Sequence, residues 1–141
     1  MERQGKNHRI LIVDDEATIR LMLAYSLGAA GYDVVAAGSL GSAREALDLG
    51  YFSVVITDLC LSGRGPGDGM EVVRHAKECC PKTGVIVMSA DLSDELRVKV
   101  RLLGASHCYE KPCDIDEMLG NIREITDRSE WYKKNSAIPA L

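Results

Sequence analysis

Short runs of branched apolar residues recur along the chain and alternate with segments of helical spacing. The runs cover residues 10–13, 32–37, 52–57, 85–88 and 106–109. Three of them are almost continuously apolar, which is typical of strands that are covered on both faces of a parallel sheet. The pattern therefore predicts five strands, most of them buried.

Apolar residues at helical spacing follow each of these runs. On the first helix the predicted buried face consists of Ile19, Met22, Leu23, Ser26, Leu27 and Ala30. The faces of the other four are marked by Leu40, Ala43 and Leu47, by Met70, Val73 and Ala76, by Leu92, Leu96, Val100 and Leu103, and by Ile115, Met118, Leu119, Ile122 and Ile125. Five strand–helix pairs in strict alternation predict an α/β fold with right-handed crossovers and helices on both faces of the sheet.

Residues that end or begin helices support this division. Gly31, Gly50 and Gly104 lie just beyond helical segments, where a left-handed residue commonly ends a helix. Asp114 with Glu117 three positions later predicts a capped start of the last helix. From about residue 127 the periodicity fades, so we predict one domain over residues 9–126. Residues 1–8 would form a polar tail, and 127–141 a C-terminal tail or the start of a linker.

Composition excludes several classes of protein. The 141 residues are 46% hydrophobic and 27% charged with a net charge of −4, and no basic patch suggests nucleic-acid binding by this domain. No apolar run is long enough to span a membrane and no signal peptide is recognisable, so we expect a cytoplasmic protein. The five cysteines form no C-x-x-C pair, and no histidine stands at ligand spacing from them. They are expected to be free thiols.

Polar side chains follow four of the predicted strands at the point where each strand ends. Asp14, Asp15 and Glu16 follow the first, Asp58 the third, Ser89 the fourth and Lys111 the fifth. In an open parallel sheet, ligands bind at the carboxyl ends of the strands. These residues are therefore expected to gather at one edge of the sheet.

The residue types at this edge indicate a particular chemistry. Carboxylates in one cleft repel each other unless a cation neutralises them, and a small set of oxygen ligands suits Mg²⁺. A lysine and a hydroxyl beside the metal would bind phosphoryl oxygens. We find neither a nucleotide-binding loop nor a catalytic histidine, so the pattern favours a site that receives a phosphoryl group.

Each of these features has a simpler explanation when it is taken alone. The acidic run 14–16 could be the N-terminus of a helix, and Asp58 could belong to a turn. Lys111-Pro112 could simply end a strand. Their joint placement, each directly after a strand, is what favours the phosphoryl site.

The same residues resemble the response regulator receiver domain family of two-component signal transduction. The likeness covers residues 9–126 and depends on LIVDDE at 11–16, VVITD at 54–58, VIVMSA at 85–90, and Gly104-Ala105 leading to Lys111-Pro112. It implies a flavodoxin-like (βα)5 fold, a doubly wound parallel five-stranded sheet with strand order 2-1-3-4-5.

The resemblance also implies roles for individual residues. Asp58 would be the phosphorylated aspartate, Ser89 would contact the phosphoryl group and Lys111 would pair with it. The metal ligands would be Asp15 directly, Asp14 mainly through water, Asp58, and the backbone carbonyl of Cys60. The cofactor would be Mg²⁺, with Mn²⁺ as a substitute, and the Lys111–Pro112 bond would be cis.

As a family member the chain would be a switch that catalyses only its own phosphorylation and dephosphorylation. Its phosphoryl donor would be a sensor histidine kinase or a histidine phosphotransfer protein. Its output would pass to an effector domain beyond the C-terminus, which we favour slightly, or to a separate target. A homodimer through the fourth helix, fifth strand and fifth helix is a further expectation.

Two alternative functions remain open. One is a pseudo-receiver that acts only as a protein-interaction module, against which the intact set of site residues argues. The other is a Mg²⁺-dependent phosphatase with an aspartyl-phosphate intermediate. The phosphatase is disfavoured because Leu59 and Cys60 follow Asp58, so a D-x-D pair is missing.

The sequence departs from the family pattern at two places. Ser62 stands where the family has proline, and the glycine-rich stretch 62–69 is about three residues longer than usual and is expected to be flexible. Cys108 stands where the family has an aromatic residue that moves on activation. The neighbouring Tyr109 should point to the opposite face of the sheet and not take over that role.

Overall fold

Ten elements alternate along the chain in a computed structural model, which describes residues 8–135. The strands are β1 (Arg9–Val13), β2 (Asp33–Ala37), β3 (Val54–Asp58), β4 (Gly84–Ser89) and β5 (His107–Glu110). The helices are α1 (Ala17–Ala29), α2 (Leu40–Leu49), α3 (Gly67–Cys79), α4 (Asp94–Leu103) and α5 (Ile115–Asn135). Each predicted strand and helix is present.

The five strands form one parallel sheet in the order β2-β1-β3-β4-β5. The expected flavodoxin-like order is therefore confirmed. The order reverses between β1 and β3, where the connections switch from one face of the sheet to the other. Ligands bind beside such a switch point, outside the carboxyl ends of the strands.

Two apolar clusters cover the two faces of the sheet. Side chains of Leu11, Val55 and Val87 pack with α2, α3 and α4 on one face. Those of Ile10, Ile12, Ile56 and Ile86 pack with α1 and α5 on the other. Because both faces are buried, the central strands need apolar residues at every position, which explains their continuous apolar runs.

The buried face of α1 is narrower than predicted. Leu23 and Leu27 are buried, but Met22 is 46% exposed. Leu23 and Leu27 carry the buried face of α1, and Met22 points about 100° away from Leu23, towards the edge of the contact with the sheet. Placing Met22 on the buried face was therefore wrong.

Two of the three predicted left-handed glycines are confirmed. Gly31 has φ 99° and Gly104 has φ 119°. Gly50 does not, because the chain leaves α2 in an extended conformation with φ −165°. A Cβ at position 50 would lie 2.6 Å from Nη1 of Arg9, so the absence of a side chain there leaves room for the Arg9 guanidinium.

Helix α5 continues beyond the point where its apolar periodicity fades. It runs to Asn135, and polar contacts accompany its last two turns. Oε2 of Glu130 lies 2.9 Å from Nε2 of the buried His8, and the Asn135 side chain donates to the carbonyl of Trp131. The domain limits at residues 9 and 126 remain a prediction. Of the predicted tails 1–8 and 127–141, residues 1–7 and 136–141 lie outside the described residues.

The Asp114 side chain caps α5 as predicted. Its Oδ1 accepts hydrogen bonds from the backbone N–H groups of Asp116 at 3.0 Å and Glu117 at 3.2 Å. We expect Asp114→Ala to lower the free energy of unfolding by about 1 kcal/mol, because these two donors lose their partner. Urea denaturation would measure this loss. Asp114→Asn keeps the acceptor and should stay close to wild type, so an equal loss in both variants would contradict a capping role.

All five cysteines lie in the described part of the chain and are free, as expected. The expectation that no histidine stands at ligand spacing from a cysteine is wrong, however. His75 precedes Cys79 by four residues on α3, so both side chains lie on the same face of this helix.

Among residues 8–135, no helix combines the length and the apolar character that a membrane crossing requires.

Candidate functional site

The carboxylates predicted to gather at one edge of the sheet do so. Asp14 and Asp15 follow β1, and Asp58 is the last residue of the neighbouring β3. Carboxylate oxygens of these three residues lie within 4.8 Å of one another. Asp14 and Asp58 are buried, whereas Asp15 is exposed and leaves the cluster open to solvent on one side.

Lys111, which follows β5, brings a positive charge to this cluster. Its Nζ lies 2.9 Å from Oδ2 of Asp14 and 3.1 Å from Oδ2 of Asp58. A third carboxylate oxygen, Oε1 of Glu16, lies at 3.4 Å. Lys111 thus contacts three carboxylates, and Asp15 adds a fourth to the cluster, so the site keeps an excess of negative charge.

Burial and charge act against each other at Asp58. Burial raises the pKa of its carboxyl group above the usual range, since the charged form loses hydration; the hydrogen bond and charge of Lys111 act in the opposite direction. Burial alone would lower the pKa of Lys111, but its hydrogen bonds to Asp14 and Asp58 outweigh that effect and raise the pKa. Lys111 therefore pairs with the carboxylates of Asp14 and Asp58 as a cation.

Backbone contacts fix the position of Asp14. Its Oδ1 accepts a hydrogen bond from the N–H of Glu16 at 2.9 Å, and its own N–H donates to the carbonyl of Ala37 at 3.1 Å. Glu16 directly precedes α1, but its side chain makes no capping hydrogen bond. The acidic run therefore stands at the start of α1, as the simpler explanation requires, but its last residue does not cap the helix.

Arg20 also helps to position Asp14, although the sequence alone did not indicate this. Its Nη1 donates to the backbone carbonyl of Asp14 at 2.7 Å, from one turn inside α1. A positively charged residue four positions after a glutamate is common on helix surfaces. The spacing of Arg20 from Glu16 therefore gave no reason to include Arg20 among the candidate site residues.

Ser89 lies next to Lys111 through the backbone, because the N–H of Lys111 donates to the carbonyl of Ser89 at 2.8 Å. The Ser89 hydroxyl itself contacts the loop after β4. It donates to the carbonyl of Asp91 at 3.1 Å and accepts from the N–H of the same residue at 3.3 Å. The Lys111–Pro112 bond is cis, as the resemblance implied.

The loop after β3 begins with a contact to Asp58 and ends in α3. The N–H of Cys60 donates to Oδ1 of Asp58 at 3.3 Å. Gly63 and Gly65 have φ values of 74° and 93°, which favour glycine. The stretch 62–69 was expected to be a flexible loop throughout, but its last three residues already form the first turn of α3.

The two residues at the second departure from the family pattern face opposite sides of the sheet, as expected. Cys108 packs against the cluster that includes Val100 of α4. Tyr109 belongs to the cluster that includes Met118 of α5, and its hydroxyl accepts a hydrogen bond from the Asn121 side chain. Tyr109 is thus directed away from α4.

Comparisons with known proteins agree with this architecture. Residues 10–123 match the family described as the response regulator receiver domain. The response regulator protein PilR of Pseudomonas aeruginosa is 32% identical over 117 residues, which are 83% of this chain and 25% of that protein. The chain thus spans about a quarter of that relative's length.

Solved receiver domains are similar in structure. A response regulator receiver domain protein (CheY-like) from Methanospirillum hungatei JF-1 superposes with a TM-score of 0.81 at 27% identity, covering 88% of this chain and 97% of that one. The beryllofluoride-activated receiver domain dimer of NtrC4 gives a TM-score of 0.76 at 28% identity, covering 85% and 97%. The family match over most of the chain, the strand order and the cluster around Asp58 lead to one conclusion: the chain belongs to the response regulator receiver domain family of two-component systems.

Proposed function

We propose that the protein accepts a phosphoryl group on Asp58 in a Mg²⁺-dependent reaction and transmits this event through a change of conformation. The observation that carries the proposal is the placement of the Asp58 carboxylate, which lies at the carboxyl end of β3 in contact with Lys111 and beside the carboxylates of Asp14 and Asp15.

The two oxygens of Asp58 have different partners, which orient the carboxylate. Oδ1 accepts from the N–H of Cys60, and Oδ2 accepts from Nζ of Lys111. Lys111 favours the ionised form, which is the nucleophile. The cation also lies where it can interact with the oxygens of an incoming phosphoryl group.

The donor set fits a small hard cation. Asp14, Asp15 and Asp58 offer only oxygen atoms, and the one lysine leaves their negative charge partly uncompensated. Mg²⁺ prefers such ligands and retains several waters, for which the exposed side near Asp15 leaves room. Asp14, Asp15, Asp58 and the backbone carbonyl of Cys60 would hold it, with Mn²⁺ as a substitute. When bound, it would offset the repulsion between these carboxylates and the phosphoryl oxygens.

The transfer itself is an in-line displacement. An oxygen of Asp58 forms a bond to phosphorus while the bond from phosphorus to the donor's histidine nitrogen breaks, and the leaving imidazole takes up a proton. The product is an acyl phosphate, which water later hydrolyses to reset the protein. Ser89 would leave its contact with Asp91 to donate a hydrogen bond to the phosphoryl group, and Lys111 would pair with that group.

The donor we propose is a sensor histidine kinase or a histidine phosphotransfer protein of the cytoplasm. The output would pass to an effector domain or a separate target, without direct nucleic-acid binding by this domain. Homodimer formation through α4, β5 and α5 is consistent with the exposure of Val98 and Leu102 on α4. We regard the protein as a switch that turns over only its own phosphoryl group.

Incubation with Mg²⁺ and a small phosphodonor such as acetyl phosphate tests the proposal. We expect an adduct of one phosphoryl group that is acid-stable and base-labile. Asp58→Asn should abolish it, and removal of Mg²⁺ with a chelator should reduce its rate of formation by at least about a hundredfold, since the metal neutralises charge in the transition state. Mass spectrometry of the intact protein would measure both effects.

Asp127→Asn, at an exposed position on α5, is the matched control and should be phosphorylated like wild type. An adduct that persists in Asp58→Asn would refute the assignment of the acceptor. A wild-type protein that forms no adduct with either the small donor or phosphohistidine would favour an interaction module. Rapid turnover of many donor equivalents per protein, without accumulation of the adduct, would favour a phosphatase.

A further inference from the structure

A second cluster of potential metal ligands joins the C-terminal ends of α2 and α3. It consists of Asp48 on α2 and of His75 and Cys79 on α3. Nε2 of His75 lies 2.8 Å from Oδ1 of Asp48, and Sγ of Cys79 lies 3.8 Å from the same oxygen. One nitrogen, one sulfur and one oxygen atom thus lie within 4.8 Å of one another.

We propose that Asp48, His75 and Cys79 form a zinc-binding site that links α2 to α3. Nitrogen, thiolate and carboxylate donors in a tetrahedral arrangement are the ligands typical of Zn²⁺. The proposal concerns a site distinct from the carboxylates around Asp58, which offer only oxygen and suit a harder ion.

The two distances from Asp48 require only small movements. Zinc bonds of roughly 2.0–2.3 Å in a tetrahedron separate neighbouring ligand atoms by roughly 3.4–3.7 Å. Cys79 and Asp48 are already close to that separation, and the direct hydrogen bond between His75 and Asp48 would have to lengthen by roughly half an ångström to admit the ion. Because Asp48 is 62% exposed, its side chain can make this adjustment.

The spacing on α3 supplies two of the ligands from one rigid element. Residues four apart on a helix lie on the same face, so His75 and Cys79 present their side chains together without any loop movement. The third ligand comes from the helix packed alongside. Three protein ligands leave the fourth zinc position to water.

A groove of about 320 Å³ lies beside this cluster and is lined by two of its three residues. Asp48 and Cys79 border it, and it continues past Tyr51 and Phe52, which precede β3, and Thr83, which precedes β4. The cluster therefore lies at the end of α3 opposite to Gly69, which packs beside Asp58. The two metal sites can for this reason be tested independently.

Cobalt is the probe that tests the site, because Co²⁺ replaces Zn²⁺ and reports its ligands by absorption. Titration of the full chain, in a phosphine-reduced buffer free of other thiols, should produce a near-ultraviolet thiolate-to-cobalt band and intense visible bands of four-coordinate geometry. Zn²⁺ should displace both sets of bands, and Mg²⁺ in large excess should not. Binding expels the thiol proton of Cys79, so the bands should weaken as the pH falls.

Variants identify the ligands. Cys79→Ser should abolish the thiolate band, and His75→Gln should weaken Co²⁺ binding by about tenfold or more. Cys80→Ser is the matched control, because it removes the next thiol in the chain and should leave the spectrum unchanged. All three variants should still be phosphorylated on Asp58, which shows that they fold and separates this site from the proposed function.

Three results would overturn the proposal. They are a thiolate band that survives in Cys79→Ser, a band that is lost in Cys80→Ser, and a wild-type protein that shows only the weak bands of six-coordinate cobalt. A rise of the melting temperature with Zn²⁺ in wild type, but not in His75→Gln, would support it further.

Discussion

Lys111→Met should destabilise the metal-free protein by about 3 kcal/mol, because breaking a buried ion pair leaves uncompensated charge behind. Methionine keeps most of the apolar length of the lysine and removes its charge. The two nearest carboxylates, of Asp14 and Asp58, have exposed fractions of 0% and 8%, so they are poorly hydrated and depend on the lysine for compensation of their charge. Urea denaturation in a chelated buffer would measure the loss as a lower midpoint with an unchanged slope.

Two further measurements identify the cause of that loss. Mg²⁺ should restore part of the stability of Lys111→Met, because a divalent cation compensates the same carboxylates. Introducing Asp58→Asn into Lys111→Met should also restore stability, since it removes one of the unpaired charges. Lys99→Met on the exposed side of α4 should stay within about 0.5 kcal/mol of wild type.

The stability of Lys111→Met should also depend on pH in a characteristic way. Burial already holds the pKa of Asp58 above its usual value, and loss of Lys111 removes the interactions that lower it. A carboxyl whose pKa is higher in the folded state binds its proton more tightly there, so folding is favoured as the pH falls through that folded pKa. We therefore expect acidification from neutral pH to reduce the deficit of metal-free Lys111→Met relative to wild type. A deficit that is constant or grows on mild acidification would contradict unpaired carboxylates as its cause.

The gathering of these side chains at one edge of the sheet could be predicted because the relevant signals are local. Asp58 and Lys111 each come within two residues of the end of an apolar run, and the parallel arrangement of such runs brings their ends to one edge. No information about distant contacts was needed beyond the alternation of strands and helices. The roles of these residues in catalysis and metal binding remain predictions that the experiments above address.

What the sequence could not predict depends on packing between elements. Met22 has the spacing of a core residue, and only the width of the contact between α1 and the sheet decides that it is exposed. Gly50 follows a helix, but the direction in which the chain leaves α2 determines its φ. His75 and Cys79 have a meaningful spacing on α3, yet the approach of Asp48 follows from how α2 and α3 pack.

Gly69→Ala should be among the most disruptive single-methyl changes in this protein. A Cβ at position 69 would lie 2.2 Å from Cα of Leu59 and 2.4 Å from the carbonyl oxygen of Asp58. Both are backbone atoms of the segment that carries the proposed phosphoacceptor. Rotation of a side chain therefore cannot relieve the clash, and the backbone itself must move. The N–H of Gly69 also donates to the carbonyl of Leu59 at 3.0 Å, which holds α3 against this segment.

The expected loss of stability is about 3 kcal/mol, at the upper end of the range for an overpacked core. The displaced backbone would also carry Asp58 away from Lys111, so phosphorylation by the small donor should slow markedly in the fraction that folds. Urea denaturation and intact-mass measurements at equal folded concentration would determine the two effects separately.

Gly67→Ala provides the matched control within the same helical turn. A Cβ there meets no atom within 4 Å, and alanine is favoured over glycine in a helix by up to about 1 kcal/mol. The two substitutions add the same methyl group to the same turn of α3. We nevertheless expect Gly69→Ala to lower the free energy of unfolding and Gly67→Ala to raise it. If Gly69→Ala were as stable as Gly67→Ala and equally phosphorylated, α3 could not be packed as closely against the Asp58 segment as its backbone distances indicate.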